Sequence, residues 1–214
     1  MNFLNRIVQR QEGAKIFEAL PTQDMSCAEI SGHFWAKKFE WASAEVFHFP
    51  DYDVTRDTFR DAEGEIRQFD MIIADQVWEH LDRPYAATRN VLSMLKPGGY
   101  FYIAVPFFAK YHAFPVDCSR WTARGLSNLL IEAGFEEELI QADQWGNFAA
   151  VLKDCNKRWA KYEEGDDLTN DPKCPIVAWA LGRKSLQSAK PVAKAASVKS
   201  PAARKPATKD KKAV

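Results

Sequence analysis

The chain has 214 residues, 46% of them hydrophobic and 27% charged, which suffices for one good core and leaves little room for two domains. The zero net charge conceals an asymmetry. Residues 183–214 carry ten Lys or Arg against one Asp, which leaves a net −9 on residues 1–182. No apolar stretch approaches the roughly 20 residues of a membrane span, and Cys27, Cys118, Cys155 and Cys174 show no CxxC spacing. A zinc site is therefore not expected, and scattered reduced thiols fit a cytoplasmic chain.

Taken in order, residues 1–26 read as a helical segment and linker. Phe3, Leu4, Ile7 and Val8, then Ile16, Phe17 and Leu20, form two helical clusters around a polar, Gly-containing QRQEGAK, which predicts one or two short helices. The start lacks an uninterrupted apolar region, so it does not read as a secretory signal; its Arg-bearing amphipathic character leaves a transit peptide as the alternative. A short strand follows over residues 27–30 and ends at Ser31-Gly32. HFWAKKFEW is aromatic-rich without a clear period, and residues 44–49 alternate as a strand.

Residues 71–74 are a continuous apolar run, as expected of a parallel strand buried on both faces. Ala87, Val91, Leu92, Met94 and Leu95 then recur near helical spacing, Pro97-Gly98-Gly99 breaks the helix, and residues 100–105 start another strand. Thr122 is placed to cap a helix running to Ala133, with Gly134 as its stop. Residues 135–142 predict a strand, 147–162 a helix and 176–181 a last strand. Alternating strands and helices argue for an α/β sheet covered on both faces. Residues 183–214, almost wholly Lys, Ala, Pro and Ser, predict a disordered basic tail, suited either to an anionic partner or to solubility alone.

The strand FDMIIA, the EHL at residues 79–81 and the LKPGG at residues 95–99 resemble the class I S-adenosylmethionine-dependent methyltransferases, in their small type-11-like branch. The resemblance continues through HAFPVDCSRWTARGLSNLLIEAGF. That stretch is similar to the His…Pro-x-Asp-x-x-Arg-aromatic-Thr pattern of members that accompany glycan biosynthesis. It covers residues 28–182, and the methyltransferase domain is drawn at 27–182.

The family's fold implies a Rossmann-like, mostly parallel sheet with helices on both faces and an antiparallel strand near the C-terminus, here residues 176–181. The cofactor it implies is S-adenosyl-L-methionine, over the C-terminal ends of the first strands. Glu29, Ser31 and Gly32 stand in the cofactor turn, where His33 and Trp35 replace two of the family's glycines. Asp53 resembles the acid that contacts the adenine amino group, and Glu45 and Asp51 are alternatives for the ribose acid. Asp75 and Gln76 face the cofactor, and Glu79 and His80 face the methyl acceptor.

If the acceptor is a hydroxyl, a base is needed, and His112 and His80 are the candidates, because imidazole titrates near neutrality. Asp117, Arg120 and Trp121 belong to the loop over the site, as substrate or lid residues; alternatively Asp117 and Arg120 pair to brace that loop. No metal-ligand cluster is expected. The function implied is methylation of a hydroxyl on a small molecule or glycan. The alternative is a degenerate methyltransferase fold serving as a scaffold with a basic interaction tail, in which bulky His33 and Trp35 fill the adenosine space. The acidic body argues against a nucleic-acid enzyme, and no G-x-G-x-x-G follows a strand, which makes a nicotinamide dehydrogenase the least favoured reading.

Overall fold

The computed structural model describes residues 3–113, 115–156 and 160–186. The tail expected beyond residue 183 lies, from residue 187 on, outside the described residues.

Six strands form one sheet in the order β2-β1-β3-β4-β6-β5. They are β1 (Ser26–Ile30), β2 (Ser43–Phe47), β3 (Phe69–Asp75), β4 (Leu95–Pro106), β5 (Ile140–Trp145) and β6 (Val177–Arg183). β2, β1, β3 and β4 run parallel, and β6 runs antiparallel to both β4 and β5. The last strand is thus the antiparallel one that the resemblance implied.

Strand alternation sends successive side chains to opposite faces, and each face has its own core. Ile72, Ala74, Phe101, Ile103, Ala178 and Ala180 meet α3 (Pro84–Met94) and α4 (Ala123–Ala133) on one side. Met71, Ile73, Tyr102, Ala104, Val177 and Trp179 meet α1 (Leu4–Glu18), α2 (Phe34–Lys38) and α5 (Phe148–Asn156) on the other. Met71 to Ala74 are each 0% exposed, and burying a large apolar side chain of this kind contributes about 1.5–3 kcal/mol. The continuous apolar run is therefore the signature of a sheet with two covered faces. α4 is bounded as its sequence predicts. Thr122 Oγ1 accepts from Gly125 N at 3.1 Å, and Gly134, at φ 115°, donates back to Leu130 and Ile131.

Several boundaries differ from the sequence reading. The two N-terminal clusters form one continuous helix, α1. Its Gly13 lies so close to the sheet that a Cβ would come within 2.7 Å of Tyr102 Oη and 2.8 Å of the Trp35 ring. The aperiodic aromatic stretch contains α2, whose Trp35 joins Phe17, Phe39 and Tyr102 in one ring cluster. β4 starts at Leu95, so the Pro97-Gly98-Gly99 turn lies within its first residues. β5 starts at Ile140 because residues 137–139 take a 3-10 turn.

β1 leads to β2 on one side and β3 lies on the other, so the chain reverses direction across the sheet between β1 and β3. In open α/β sheets, ligands bind beyond the carboxyl ends of the strands at such a point.

Candidate active site

A cleft of about 680 Å³ opens at that point. Ile30, Phe49, Val54 and Val77 give it apolar walls, and Ser31, His48, Asp53, Gln76 and His80 give it polar ones. The residues at its two strand ends turn sharply. Ser31 and Gln76 both occupy the left-handed region, at φ 55° and 61°, a conformation that side-chain-bearing residues adopt at a cost and that clusters at functional sites.

At the end of β1, Glu29 is 1% exposed and folds back on the start of α2. Its carboxylate accepts from Phe34 N at 3.0 Å and Ala36 N at 2.7 Å. Burial pushes this carboxyl up from its usual range, and those N–H groups oppose the shift. Gly32 makes the fold-back possible, since a Cβ there would sit 2.6 Å from Glu29 Oε1. The substitutions at the cofactor turn leave the cleft open. Trp35 is fully buried beneath α1 and His33 is exposed, and neither lines the cavity.

At the end of β3, both Asp75 side-chain oxygens are buried without a hydrogen bond. Arg10 of α1 reaches toward them, its Nε 3.7 Å from Oδ2, while its guanidinium lies 3.7 Å from the centre of the Phe34 ring. Burial lowers the Arg10 pKa, and the charge of Asp75 offsets part of that. Arg6 Nε, Arg10 Nε, Gln76 Nε2 and Glu79 Oε2 are also buried and without hydrogen bonds. Buried polar groups are nearly always satisfied, so a cluster of orphans is a place that a ligand or ordered water can complete. Arg10 was not expected from the sequence. Its signal was the i, i+4 pair Arg6/Arg10 on a helix that also buries Gln9, whose amide donates to Tyr102 Oη at 2.9 Å.

Asp53 lines the cleft but is already engaged. It accepts from Thr55 N and Oγ1 at 3.0 and 2.6 Å and lies 3.1 Å from Arg56 Nε. The two ribose-acid alternatives sit elsewhere: Glu45 is exposed on edge strand β2 and pairs with Arg67, and Asp51 is exposed in a turn. His48 and Phe49 reach the cavity in their place.

Beyond the acceptor wall the loop after β4 folds onto a 3-10 turn at residues 78–80. Glu79 there is 1% exposed, and burial raises its carboxyl to about 8. His80 Nδ1 lies 2.5 Å from the Val116 carbonyl. A carbonyl can only accept, so Nδ1 carries the proton, and Nε2, 3.8 Å from Glu79 Oε1, keeps the lone pair. The His112 ring packs edge-on to His80 at 5.0 Å. One ligand atom from each of Glu79, His80 and His112 falls within 4.8 Å of the others. Such a grouping is not expected from the sequence. Local spacing could not show it, because the loop brings in a histidine 32 residues beyond His80.

Asp117 and Arg120 brace this loop. Arg120 bonds both Asp117 oxygens, and Asp117 Oδ2 also accepts from His112 N at 2.9 Å. The Arg120 guanidinium holds the Asp117 carboxyl down at about 2. Trp121 packs against the core beside α4 rather than on the cavity. Ser31, Asp53, Gln76 and His80 thus share the cavity. Glu29, Gly32, Asp75, Glu79 and His112 are not among its lining residues, and Asp117, Arg120 and Trp121 support the loop.

A family model described as a methyltransferase domain matches residues 11–101. No curated protein matches the chain. Among solved structures, the chain is similar to an S-adenosylmethionine dependent methyltransferase from Mesorhizobium loti, at 14% identity and TM-score 0.50, over 81% of this chain and 97% of that one. It is also similar to the cyclase SpnF, at 13% identity and TM-score 0.52, over 85% and 82%. A third is a chain of the Haloferax volcanii complex between the Trm112 methyltransferase activator and its methyltransferase partner, at 13% and TM-score 0.51, over 81% and 88%. At such identities structural likeness establishes the fold. Together with the methyltransferase-domain match over residues 11–101, it gives the chain a class I methyltransferase fold, for which S-adenosylmethionine is the methyl donor implied.

Proposed function

We propose that the chain methylates a hydroxyl group of a small molecule or glycan. The observation that carries this is the pairing of two features on either side of one cleft, which Gln76 and His80 line. Orphaned charges suit an amino-acid zwitterion at one end, and a buried Glu–His–His cluster stands at the other.

The bound donor supplies a methyl group already activated on a sulfonium. The chain's own residues do the rest. Asp75 is suited to the donor's ammonium and Arg10, with Arg6, to its carboxylate, which would satisfy the atoms now without hydrogen bonds. Ser31, Asp53 and Gln76 supply polar contacts to the nucleoside, and Ile30, Phe49, Val54 and Val77 keep water away. Glu29 and Gly32 act indirectly, by fixing the turn into α2. An attacking hydroxyl must lose its proton as it bonds carbon, and Glu79, His80 and His112 are the groups proposed to manage that. The braced loop of Asp117, Arg120 and Trp121 closes the acceptor side. We also propose a cytoplasmic setting and an anionic partner for the basic residues of the tail; no helix among the described residues is long and apolar enough to cross a membrane.

Titration calorimetry of the folded protein with S-adenosylmethionine and S-adenosylhomocysteine tests the donor assignment, with one equivalent expected to bind each. No heat at millimolar ligand would refute it and would favour the scaffold alternative. Transfer of a labelled methyl to hydroxylated but not amine-only compounds from a cell extract tests the acceptor class.

A further inference from the structure

We infer that Glu79, His80 and His112 form a binding site for a first-row divalent transition-metal cation, which holds and acidifies the acceptor hydroxyl. This rests on the reading of the cleft as a hydroxyl methyltransferase site. Four observations converge on it.

The first is the donor set. Two imidazoles and one carboxylate offer one atom each within 4.8 Å of one another. Atoms bound to a common ion at about 2.0–2.2 Å lie about 3–3.5 Å apart, so the trio must close by about 1–2 Å. Glu79 Oε1 and His80 Nε2 are already at 3.8 Å.

The second is the buried carboxylate itself. Glu79 is 1% exposed, and its Oε2 has no hydrogen-bond partner. Arg6 and Arg120 contribute long-range attraction, yet neither approaches within ion-pair distance of Glu79 among the described residues, and Arg120 is committed to Asp117. A buried carboxylate without its own cation is strongly unfavourable, and a metal at this point would supply one.

The third is the bonding around the ligands. The Nδ1–H of His80 is held by the Val116 carbonyl, which fixes the tautomer that presents Nε2 as a donor atom. Metal-bound histidines almost always anchor their other nitrogen in this way. The Glu79 carbonyl accepts from Cys118 N at 2.8 Å, and Asp117 holds the backbone of His112. Each ligand-bearing segment is therefore tied to the loop that carries the others.

The fourth is position. His80 lines the cleft, and three protein ligands leave at least one coordination position open. A hydroxyl that took that position would be made more acidic, its proton passing to solvent, and would be held for attack. Nitrogen-rich donors favour Zn²⁺ or Co²⁺ over Mg²⁺ and Ca²⁺, which prefer all-oxygen sites, with Mn²⁺ the weakest of the first-row ions.

The full-length protein, stripped with chelator, would be titrated with Co²⁺ while its visible absorption is followed, and with Zn²⁺ and Mn²⁺ by calorimetry. One equivalent is expected to bind, with a cobalt d–d band. Glu79→Gln and His112→Asn should each weaken binding by 10-fold or more, and Cys155→Ser, a distant exposed thiol, should leave it unchanged. Circular dichroism confirms that each variant folds, and His80→Asn provides a third position if either fails. Absent binding, or binding unchanged in all three variants, overturns the site. Separate titration with S-adenosylmethionine distinguishes the two readings: donor binding without metal binding defeats the metal site alone, and loss of both defeats the methyltransferase reading as well.

Discussion

Replacing Asp75 with Asn isolates what that carboxylate is for. Its oxygens are buried and accept no hydrogen bond, and among the described residues its one ion-pair partner is Arg10, 3.7 Å away and short of hydrogen-bond contact. Two opposite charges at that distance attract by about 4 kcal/mol at an effective dielectric constant near 20. Taking a carboxylate out of water costs several kcal/mol, so the two terms nearly cancel. Asp75→Asn keeps the shape, removes both, and should change unfolding free energy by less than about 1 kcal/mol. Donor affinity should respond differently. A charge-assisted hydrogen bond contributes about 1.5–3 kcal/mol, so losing one to the donor's ammonium should weaken S-adenosylmethionine binding about 10- to 150-fold. Urea unfolding gives the first quantity and calorimetry the second. Unchanged affinity with unchanged stability would remove Asp75 from the donor site. A loss of several kcal/mol in stability would mean that it serves the fold through Arg10 instead.

Two further perturbations follow from local geometry. Gly13→Ala adds a Cβ that would lie 2.7 Å from Tyr102 Oη and 2.8 Å from the Trp35 ring, both in buried side chains that cannot swing away. Overpacking costs about 1–3 kcal/mol against a helix-propensity gain of about 1 kcal/mol, so net destabilisation is expected in urea; a stabilised variant would contradict the packing of α1. Asp117→Asn removes a carboxyl that Arg120 holds at about 2, below the ordinary value near 3.9. A depressed acid stabilises the fold above its unfolded pKa, and that contribution disappears as pH falls through its folded one. The parent should therefore lose this stability between about pH 4 and pH 2, and Asp117→Asn should lack that part of the acid limb in a fluorescence-monitored titration. Parallel acid limbs would show that the pair does not hold the loop.

The parts of the fold that the sequence disclosed are those dominated by one strong local signal. Residues 71–74 are apolar at every position because both sheet faces are covered. Thr122 and Gly134 bound α4 through caps that act within four residues. α1 was split in two because the face it buries includes Asn5, Gln9 and Gly13, two polar residues and a glycine that no apolar period records. Gln9 and Gly13 are buried because that face meets the Tyr102 hydroxyl and the Trp35 ring rather than a purely aliphatic core. The ribose acid was sought at Glu45 because β2 was read as a strand leading into the site. β2 is instead a short edge strand exposed over most of its length, so its mid-strand acid faces solvent and Arg67. The Glu79–His80–His112 group was hidden for a different reason. Each residue looked ordinary alone, and only the return of the loop, tied by Asp117 and the Glu79 carbonyl, makes them neighbours.

The two groups that flank the cleft differ in how they are attached to the molecule. Arg10 is carried by a 15-residue helix keyed into the sheet through Gly13 and Gln9, so it shifts only if the helix shifts with it. His112 sits on a loop held by polar contacts, from the Phe107 and Phe108 amides to the Ile176 carbonyl and through Asp117 and the Glu79 carbonyl. Substitutions at its exposed positions, such as Tyr111, can accordingly reshape the acceptor side at little expense to the core, whereas the Arg10 side is fixed by the packing that stabilises the protein. On the proposed reading of the site, change in the methyl acceptor has an easier path, through the loop, than change in the methyl donor.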